Sequence, residues 1–370
     1  MLQIIRGKSK CQGKECIAMK MKGKQSIAYE NPPYILSAAS VAGKKEGEGP
    51  LGKFFDDVEQ DVMFGGQTWE EAESNMVHRA IQLALTKANL ESKDIRYIVG
   101  GDLLGQLIAT SFGVEQLNIP LFGVYGACST MGESLALASM LIDGGFADRT
   151  MAFTSSHFGG AEKQFRFPLA YGNQKPLSMT WTVTGSGALI LGENNEKNKG
   201  CGVLSEGMAP EGADVVIAGI TPGKIVDYGI KDSMNMGAAM APAAVETIYQ
   251  HFQDFKSKPE DYDRIITGDL GSVGKNILCD LLKEKGYDIS KQHMDCGIEV
   301  YDAESQDTHA GGSGCGCSAI TLAGYVLKRM RKRDWNRVLF IPTGALLSTV
   351  SFNEGDPVPG IAHAILLETR

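Results

Sequence analysis

The chain has 370 residues, a formal net charge of −8 and 43% hydrophobic residues. This composition is sufficient to bury a full core, which excludes wholesale disorder. An acidic chain lacks the basic face that binds phosphates, so we expect no nucleic-acid partner. No apolar run is long enough to cross a bilayer, so we expect no transmembrane segment. The eight cysteines are scattered and no signal peptide precedes them, which predicts a non-secreted protein in a reducing compartment.

Residues 1–24 are rich in lysine and glycine and have little hydrophobic patterning. We expect them to form a disordered leader, or to reflect a start codon placed too early, since Met19 or Met21 would serve equally well. The fold prediction therefore begins at residue 25.

Helices and strands alternate along the predicted fold. Thr68 and Glu71 form a capping-box signature, and helical spacing of apolar residues follows to about Leu90. The next elements are a strand, a second strand, a helix and two more strands, at 96–99, 121–125, 128 to about 142, 149–154 and 186–191. This alternation predicts βαβ units and a largely parallel sheet.

The second half of the chain repeats the first. The run IVGGDL at 98–103 is echoed by IITGDL at 265–270, and each follows a long helical segment. The turn GAC at 126–128, followed by a helix and a strand, is echoed by GCG at 314–316. We interpret this as an internal duplication, with halves 25–195 and 196–370. Chance similarity in a glycine-rich chain is the alternative.

Cys128 is the first candidate for chemistry because it lies between a strand end and a helix start. There the helix dipole and unpaired N–H groups favour a thiolate, and hence a nucleophile. The same helix end, with Ser129, would also attract a ligand carboxylate. A small buried residue in a tight space is the structural alternative.

His309 opens the small-residue segment of the second half and, by the duplication, is expected close to the Cys128 turn. It could act as a general base or as a donor to an anion, and a structural loop histidine is the alternative. Cys315 and Cys317 are better explained by close helix packing than by metal binding, because a lone C-x-C has too few ligands for zinc.

Asp102 and Asp269 end equivalent strands, where ligands gather in parallel α/β sheets. They are a candidate acid pair, or turn residues that bond their own backbone. The segment that begins at His157 carries Arg166 among aromatic residues. Such an arginine is suited to grasping a planar carboxylate, and an interface loop is the alternative.

The duplicated plan, with Cys128 at the first central helix and THAGGSG at 308–314 opening the second, resembles the thiolase superfamily. Four strings are similar to the stage V sporulation AD proteins of spore-forming Firmicutes: ENPPYI at 30–35, EGEGPLG at 46–52, FRFP at 165–168 and WTVTG at 181–185. The similarity runs from about Gly23 to Arg370. It implies an α/β, thiolase-like duplicated αβαβα layered fold with two pseudo-symmetric halves.

The resemblance also implies a function: binding of dipicolinic acid, pyridine-2,6-dicarboxylate, for loading into the spore and release at germination. The protein would act with the other stage V sporulation A-operon proteins at the inner forespore membrane, as a peripherally associated homodimer. It implies no cofactor, although Ca²⁺ could accompany the ligand. Cys128 matches the superfamily's nucleophile, and Cys128 with His309 would carry acyl transfer in the enzymatic alternative.

The chain departs from the thiolase pattern in ways that argue against acetyl transfer. The spacing from His309 to the following Gly-Ser-Gly is one residue short of the thiolase string. Asp269 stands where condensing enzymes have a catalytic histidine or asparagine. The run PTGA at 342–345 replaces the second cysteine that a thiolase needs as acid and base.

Overall fold

A computed structural model of the chain describes residues 20–166, 175–193, 198 and 212–370. Most of the expected leader and the expected boundary at 195–196 therefore lie outside the described residues. Residues 21–22 of that leader segment form a strand that pairs with residues 26–27.

The elements have the following bounds. The strands are β1 Met21–Lys22, β2 Ser26–Ala28, β3 Tyr34–Ala42, β4 Asp57–Val58, β5 Tyr97–Gly101, β6 Leu121–Gly123, β7 Arg149–Ser156, β8 Trp181–Thr182, β9 Gly185–Gly192, β10 Val215–Thr221, β11 Arg264–Thr267, β12 His293–Asp295, β13 Gly312–Ser313, β14 Arg337–Ile341, β15 Thr343–Ala345, β16 Gly360–Ala362 and β17 Ala364–Thr369. The helices are α1 Lys44–Gly47, α2 Trp69–Ala88, α3 Ile108–Glu115, α4 Thr130–Asp143, α5 Phe158–Phe165, α6 Met236–Phe255, α7 Gly271–Glu284, α8 Cys296–Val300, α9 Cys315–Thr321, α10 Leu327–Arg331 and α11 Thr349–Asn353.

The strand order shows the duplication directly. The strands of the first half run β3-β9-β7-β5-β6 and those of the second run β10-β17-β14-β11-β12. In both sets the first two pairings are antiparallel and the last two are parallel. The sets join at the residue pair Tyr34 and Val216. The predicted duplication is thus confirmed in the fold.

The prediction of a largely parallel sheet was wrong, because two of the four pairings in each half are antiparallel. The reason is the connection that precedes β9 and β17. The first connection contains helix α5 and the second contains α11. In each, the next strand of the set begins at the same end of the sheet at which the previous strand stopped, so the two strands run in opposite directions. Only a crossover along the whole sheet would make these neighbours parallel.

The two sheet sets and the three groups of helices around them form five layers, and three apolar clusters fill the space between the layers. Helices α2 and α3 pack against one face of the first sheet set, and α6 and α7 pack against the second set. The third cluster contains α4 and α9 and lies between the two sets. Strand β7 shows how alternation divides the layers: Met151 and Phe153 face the outer cluster, while Ala152 faces the central one. The αβαβα plan follows from this burial.

The predicted helix start at Thr68 is confirmed. The Thr68 side chain accepts a hydrogen bond from the Glu71 N–H at 3.1 Å, and α2 begins at Trp69. In a capping box, the Glu71 carboxylate would accept a hydrogen bond from the Thr68 N–H. Here it accepts one from the Gln67 N–H instead, at 2.8 Å, one residue earlier. The helix ends at Ala88 because Asn89 adopts a left-handed conformation, φ 54°.

Candidate functional site

Cys128 lies in a tight turn between β6 and α4. Ala127 has a left-handed backbone, φ 50°, and the turn is closed by two hydroxyl groups. The Ser129 hydroxyl donates to the Gly126 carbonyl at 2.7 Å, and the Thr130 hydroxyl donates to the Ala127 carbonyl at 2.6 Å. Ser129 therefore holds the turn and leaves the cavity-facing position to Cys128.

The N–H groups at the start of α4 are already occupied. The Ser129 N–H donates to the Gly126 carbonyl and the Thr130 N–H donates to the Ala127 carbonyl, each at 3.1 Å. The expected capture of a carboxylate by this helix end therefore lacks these two donors.

The turn borders a narrow, partly open cavity. About 400 Å³ of space lies within its bounds when open solvent is included, and the centre of a water-sized sphere can occupy about 30 Å³ of it. Both halves of the chain supply its walls: Leu103, Ala127, Cys128, Ala161, Phe165, Arg166 and Thr182 from the first half, and Met236, Ser313, Gly314, Ala345 and Leu347 from the second. A more open outer cleft, in which the centre of a water-sized sphere can occupy about 470 Å³, adjoins it and shares Leu103, Phe165 and Leu347. These three side chains separate the inner cavity from the outer cleft.

Cys128 is 6% exposed and its thiol is not activated. Burial raises the pKa of this thiol, and the neighbouring Asp269 carboxyl raises it further. The Gly314 amide and the Arg166 guanidinium lower it, but by less. The sequence argument that the helix start favours a thiolate is therefore corrected: burial outweighs the dipole, and the thiol is protonated at neutral pH.

Asp269 is the most unusual residue near Cys128. It is fully buried and has a left-handed backbone at φ 72°. The Gly314 N–H and the Cys317 thiol approach its carboxyl and lower its pKa, but neither makes a hydrogen bond of normal geometry to it. Burial raises the pKa of this carboxyl well above its usual range, and the nearby Asp295 adds to the rise. Asp269 lies behind the cavity wall, since it is not among the residues that line the cavity.

The side chains of Asp102 and His157 stabilise their own loops through hydrogen bonds to the backbone. The Asp102 carboxylate accepts hydrogen bonds from the N–H groups of Leu104 and Thr110, both at 2.7 Å. The His157 Nδ1 accepts from the Gly159 N–H at 3.1 Å and caps α5, while its Nε2 donates to the Val62 carbonyl at 2.8 Å. Asp102 and Asp269 are thus equivalent in position, but they do not form a pair across the cavity.

His309, which we expect close to the Cys128 turn, is not among the residues that line the cavity. Its Nδ1 is 3.0 Å from the Pro176 carbonyl, and its Nε2 is 3.2 Å from the Asp307 carboxylate. The physical reason is the loop backbone. His309 has a left-handed φ of 54°, so the chain turns before Ser313 and Gly314 reach the cavity.

Arg166 is the cation of the cavity wall. Its side chain is 11% exposed, one of its terminal nitrogens pairs with the Glu162 carboxylate one helical turn earlier, and its buried Nε has no hydrogen-bond partner. Residues 167–168 of the aromatic string around it lie outside the described residues. Sequence reasoning missed Glu162, although the four-residue spacing to Arg166 is a recognised signal for such a pair.

No group of three or more histidine, cysteine, aspartate or glutamate side chains that could hold a metal ion occurs within the described residues. Cys315 and Cys317 are fully buried on α9, where the Cys315 thiol donates to the Ser155 carbonyl at 2.8 Å. In the same part of the chain, no helix combines the length and apolarity needed to cross a membrane.

Comparison with solved structures shows the fold. The chain is similar to 3-oxoacyl-(acyl-carrier-protein) synthase III of Aquifex aeolicus, with a TM-score of 0.55, 15% identity, and coverage of 91% of this chain and 99% of that one. It is also similar to OleA of Xanthomonas campestris, with a TM-score of 0.54, 12% identity, and coverage of 92% and 99%. At these identities the likeness shows the thiolase-like fold alone.

Comparison with sequences shows the family. The model described as Stage V sporulation protein AD matches residues 23–368. Stage V sporulation protein AD of Bacillus subtilis is 43% identical over 350 residues, which cover 95% of this chain and 98% of that protein. The chain therefore belongs to the Stage V sporulation protein AD family.

Proposed function

We propose that the chain binds dipicolinic acid in the cavity at Cys128 without transforming it. In this proposal, binding supports loading of the acid into the developing spore and its release at germination. The observation that carries the proposal is the position of Arg166, whose guanidinium lies in the wall of a mostly apolar cavity. Such a cavity suits a flat aromatic ring, and a guanidinium suits a planar carboxylate.

The ligand has a second carboxylate, and other residues that line the cavity offer donors for it. Ser313 and Thr182 supply hydroxyl groups, and Gly314 supplies a backbone N–H that already lies close to the Cys128 thiol. Because Glu162 cancels part of the charge of Arg166, we propose that a Ca²⁺ ion bound to the ligand could accompany it, with no further cofactor.

Titration calorimetry on the full chain, with dipicolinate at millimolar concentration with and without calcium, tests the proposal. We expect Arg166→Gln to weaken binding about tenfold or more, because a hydrogen bond to a charged group contributes about 1.5–3 kcal/mol. Arg166→Lys keeps the charge but loses the two-pronged geometry, so an intermediate loss is expected. The control is Arg79→Gln, since Arg79 pairs with Asp57 and Glu59 away from the cavity. Absence of heat in both conditions, or an unchanged affinity for Arg166→Gln, would contradict it.

Acyl transfer through Cys128, an alternative that the retained cysteine motivates, requires a reactive thiolate. Since burial raises the pKa of this thiol and His309 is not in the cavity wall, we expect no acyl adduct at neutral pH. Intact-mass analysis after incubation with acyl-CoA thioesters checks this, with Cys128→Ala as the blank. A stable mass increase in the unmodified sequence that disappears in the blank would favour the enzyme and count against a purely binding role.

We further propose that the chain is a homodimer and associates peripherally with the inner forespore membrane through other proteins of its operon. The free edge strand β6 supports self-association, because Leu121 and Phe122 on it are 36% and 50% exposed. Light scattering measures the molar mass, and a monomer at micromolar concentration would reject the dimer.

A further inference from the structure

A second cationic cluster lies outside the cavity and has no role in the function proposed above. The rings of Phe158 and Trp181 stack with their centroids 4.3 Å apart, and two lysines approach the indole. The Lys175 ammonium is 3.7 Å from the Trp181 ring centroid and the Lys45 ammonium is 4.5 Å from it. We call Lys45, Phe158, Lys175, Trp181 and the adjoining His309 the lysine–tryptophan patch.

The patch and the cavity lie on opposite faces of one short ribbon. Strand β8 pairs in parallel with β13, with Trp181 opposite Gly312 and Thr182 opposite Ser313. Successive side chains of a strand point to opposite faces. Thr182 and Ser313 line the cavity, whereas Trp181 does not, so Trp181 presents its ring on the outer face. A ligand held at the patch would therefore be close to the cavity but outside it.

The two ammonium groups of the patch have no ion-pair partner in the described part of the chain. Lys45 donates to the Gln306 carbonyl at 2.6 Å. Because both ammonium groups lie close to the same ring centroid, their separation cannot exceed the sum of those two distances. Burial lowers the pKa of Lys175, and Arg166 and Lys45 lower it further, while the carboxylates of Glu162 and Asp307 oppose this.

Two ammonium groups at one indole repel each other, and an anion close to both would relieve that repulsion. The neighbouring rings of Phe158 and Trp181 are only half-buried and offer apolar edges beside the charges. We propose that the lysine–tryptophan patch is a second binding site, which takes a planar aromatic carboxylate on the outer face of the β8–β13 ribbon. The identity of its ligand as dipicolinate rests on the function proposed above.

Indole ¹⁵N–¹H NMR of the full chain tests this site, because Trp181 reports on it directly. The signal of Trp181 is assigned by its disappearance in Trp181→Phe, and Trp335, which packs against Tyr325, is the internal reference. On titration with dipicolinate we expect a saturable shift of the Trp181 signal and none at Trp335. Lys175→Gln and Lys45→Gln should each weaken this response about threefold or more, as expected for loss of a partly exposed charge pair.

The matched control is Lys53→Gln, which removes an exposed lysine that lies 5.3 Å from the Phe54 ring and contacts neither patch nor cavity. It should leave the Trp181 response unchanged. Inorganic phosphate should shift the signal only at much higher concentration, since it has no ring. Equal response to phosphate, no saturable shift, or an unchanged response in Lys175→Gln would overturn the proposal.

Failure of this site and failure of the cavity can be distinguished. Arg166→Gln should weaken the binding measured by calorimetry about tenfold or more while the Trp181 response persists. A Trp181 response without cavity heat would support the patch and reject the cavity. Calorimetric binding that depends on Arg166, without a Trp181 response, would support the cavity and reject the patch.

Discussion

Replacing Asp269 with asparagine is expected to raise the free energy of unfolding at neutral pH, by about 1.4 kcal/mol for each unit by which burial raises the pKa of this carboxyl towards neutral pH. Asp269 is fully buried, and the Gly314 N–H and the Cys317 thiol, which lower the pKa of its carboxyl, do not offset the effect of burial. An asparagine has almost the same shape and carries no ionisable group, so it removes the cost of keeping a carboxyl in this position. Chemical denaturation at several pH values measures the effect.

The pH dependence has a definite sign. The pKa of Asp269 is raised well above its unfolded value of 3.8, so below about pH 4 the carboxyl is protonated in both states and the substitution gains nothing. Above that pH the unfolded chain releases the proton while the folded chain keeps it. The wild-type chain therefore loses stability as the pH rises towards the folded pKa, and the gain from Asp269→Asn grows over the same interval.

Asp102→Asn is the matched control, because Asp102 ends the equivalent strand of the first half. Both of its oxygens accept backbone N–H groups, those of Leu104 and Thr110. An asparagine can accept only one of them, so we expect a loss of about 1–3 kcal/mol. Equal destabilisation by the two substitutions would contradict the assignment of Asp269 as a buried acid with a raised pKa.

Gly344→Ala is expected to lower the free energy of unfolding by about 3 kcal/mol and to abolish dipicolinate binding. A Cβ at this position would lie 2.1 Å from the Gly126 carbonyl oxygen, 3.0 Å from the Ser129 nitrogen and 3.3 Å from the Cys128 nitrogen. All three are backbone atoms of the turn that carries the cavity cysteine, so they cannot rotate away. Strand β15 must then separate from that turn.

Denaturant unfolding together with calorimetry checks the substitution at Gly344. The control is Gly105→Ala, where the nearest atom to a new Cβ is the Gln164 side-chain oxygen at 4.0 Å. We expect the control to stay within about 0.5 kcal/mol of the wild type. A Gly344→Ala chain as stable as the control would show that β15 and the turn are not in rigid contact.

Much of the fold could be predicted from local patterns. The repeated Gly-Asp-Leu strand ends and the small-residue helix starts fall at equivalent places because two copies of one unit bury equivalent faces. Helix α2 was found from the spacing of its apolar residues and from Thr68. Sheet direction was not accessible in this way, because it depends on which end of the sheet each connection returns to.

The site was predicted less completely than the fold. Cys128 and Arg166 line the cavity as expected, since a turn between strand and helix and an arginine among aromatic residues are local signals. The position of His309 depends on the backbone path of its loop, which no residue pattern specifies. The contact between Lys45 and Trp181 joins segments far apart in the chain, so only the folded structure brings it into view.

The cavity walls come from both halves of the chain, and this has a thermodynamic consequence. Cys128 and Arg166 belong to one repeat, while Ser313 and Ala345 belong to the other. Any molecule that fills the space binds only when both repeats are folded and docked, so its binding free energy adds to the cooperativity of the whole chain. The melting temperature would therefore rise with the fraction of protein that has ligand bound, and the ligand-bound protein would unfold at a higher temperature than the ligand-free one.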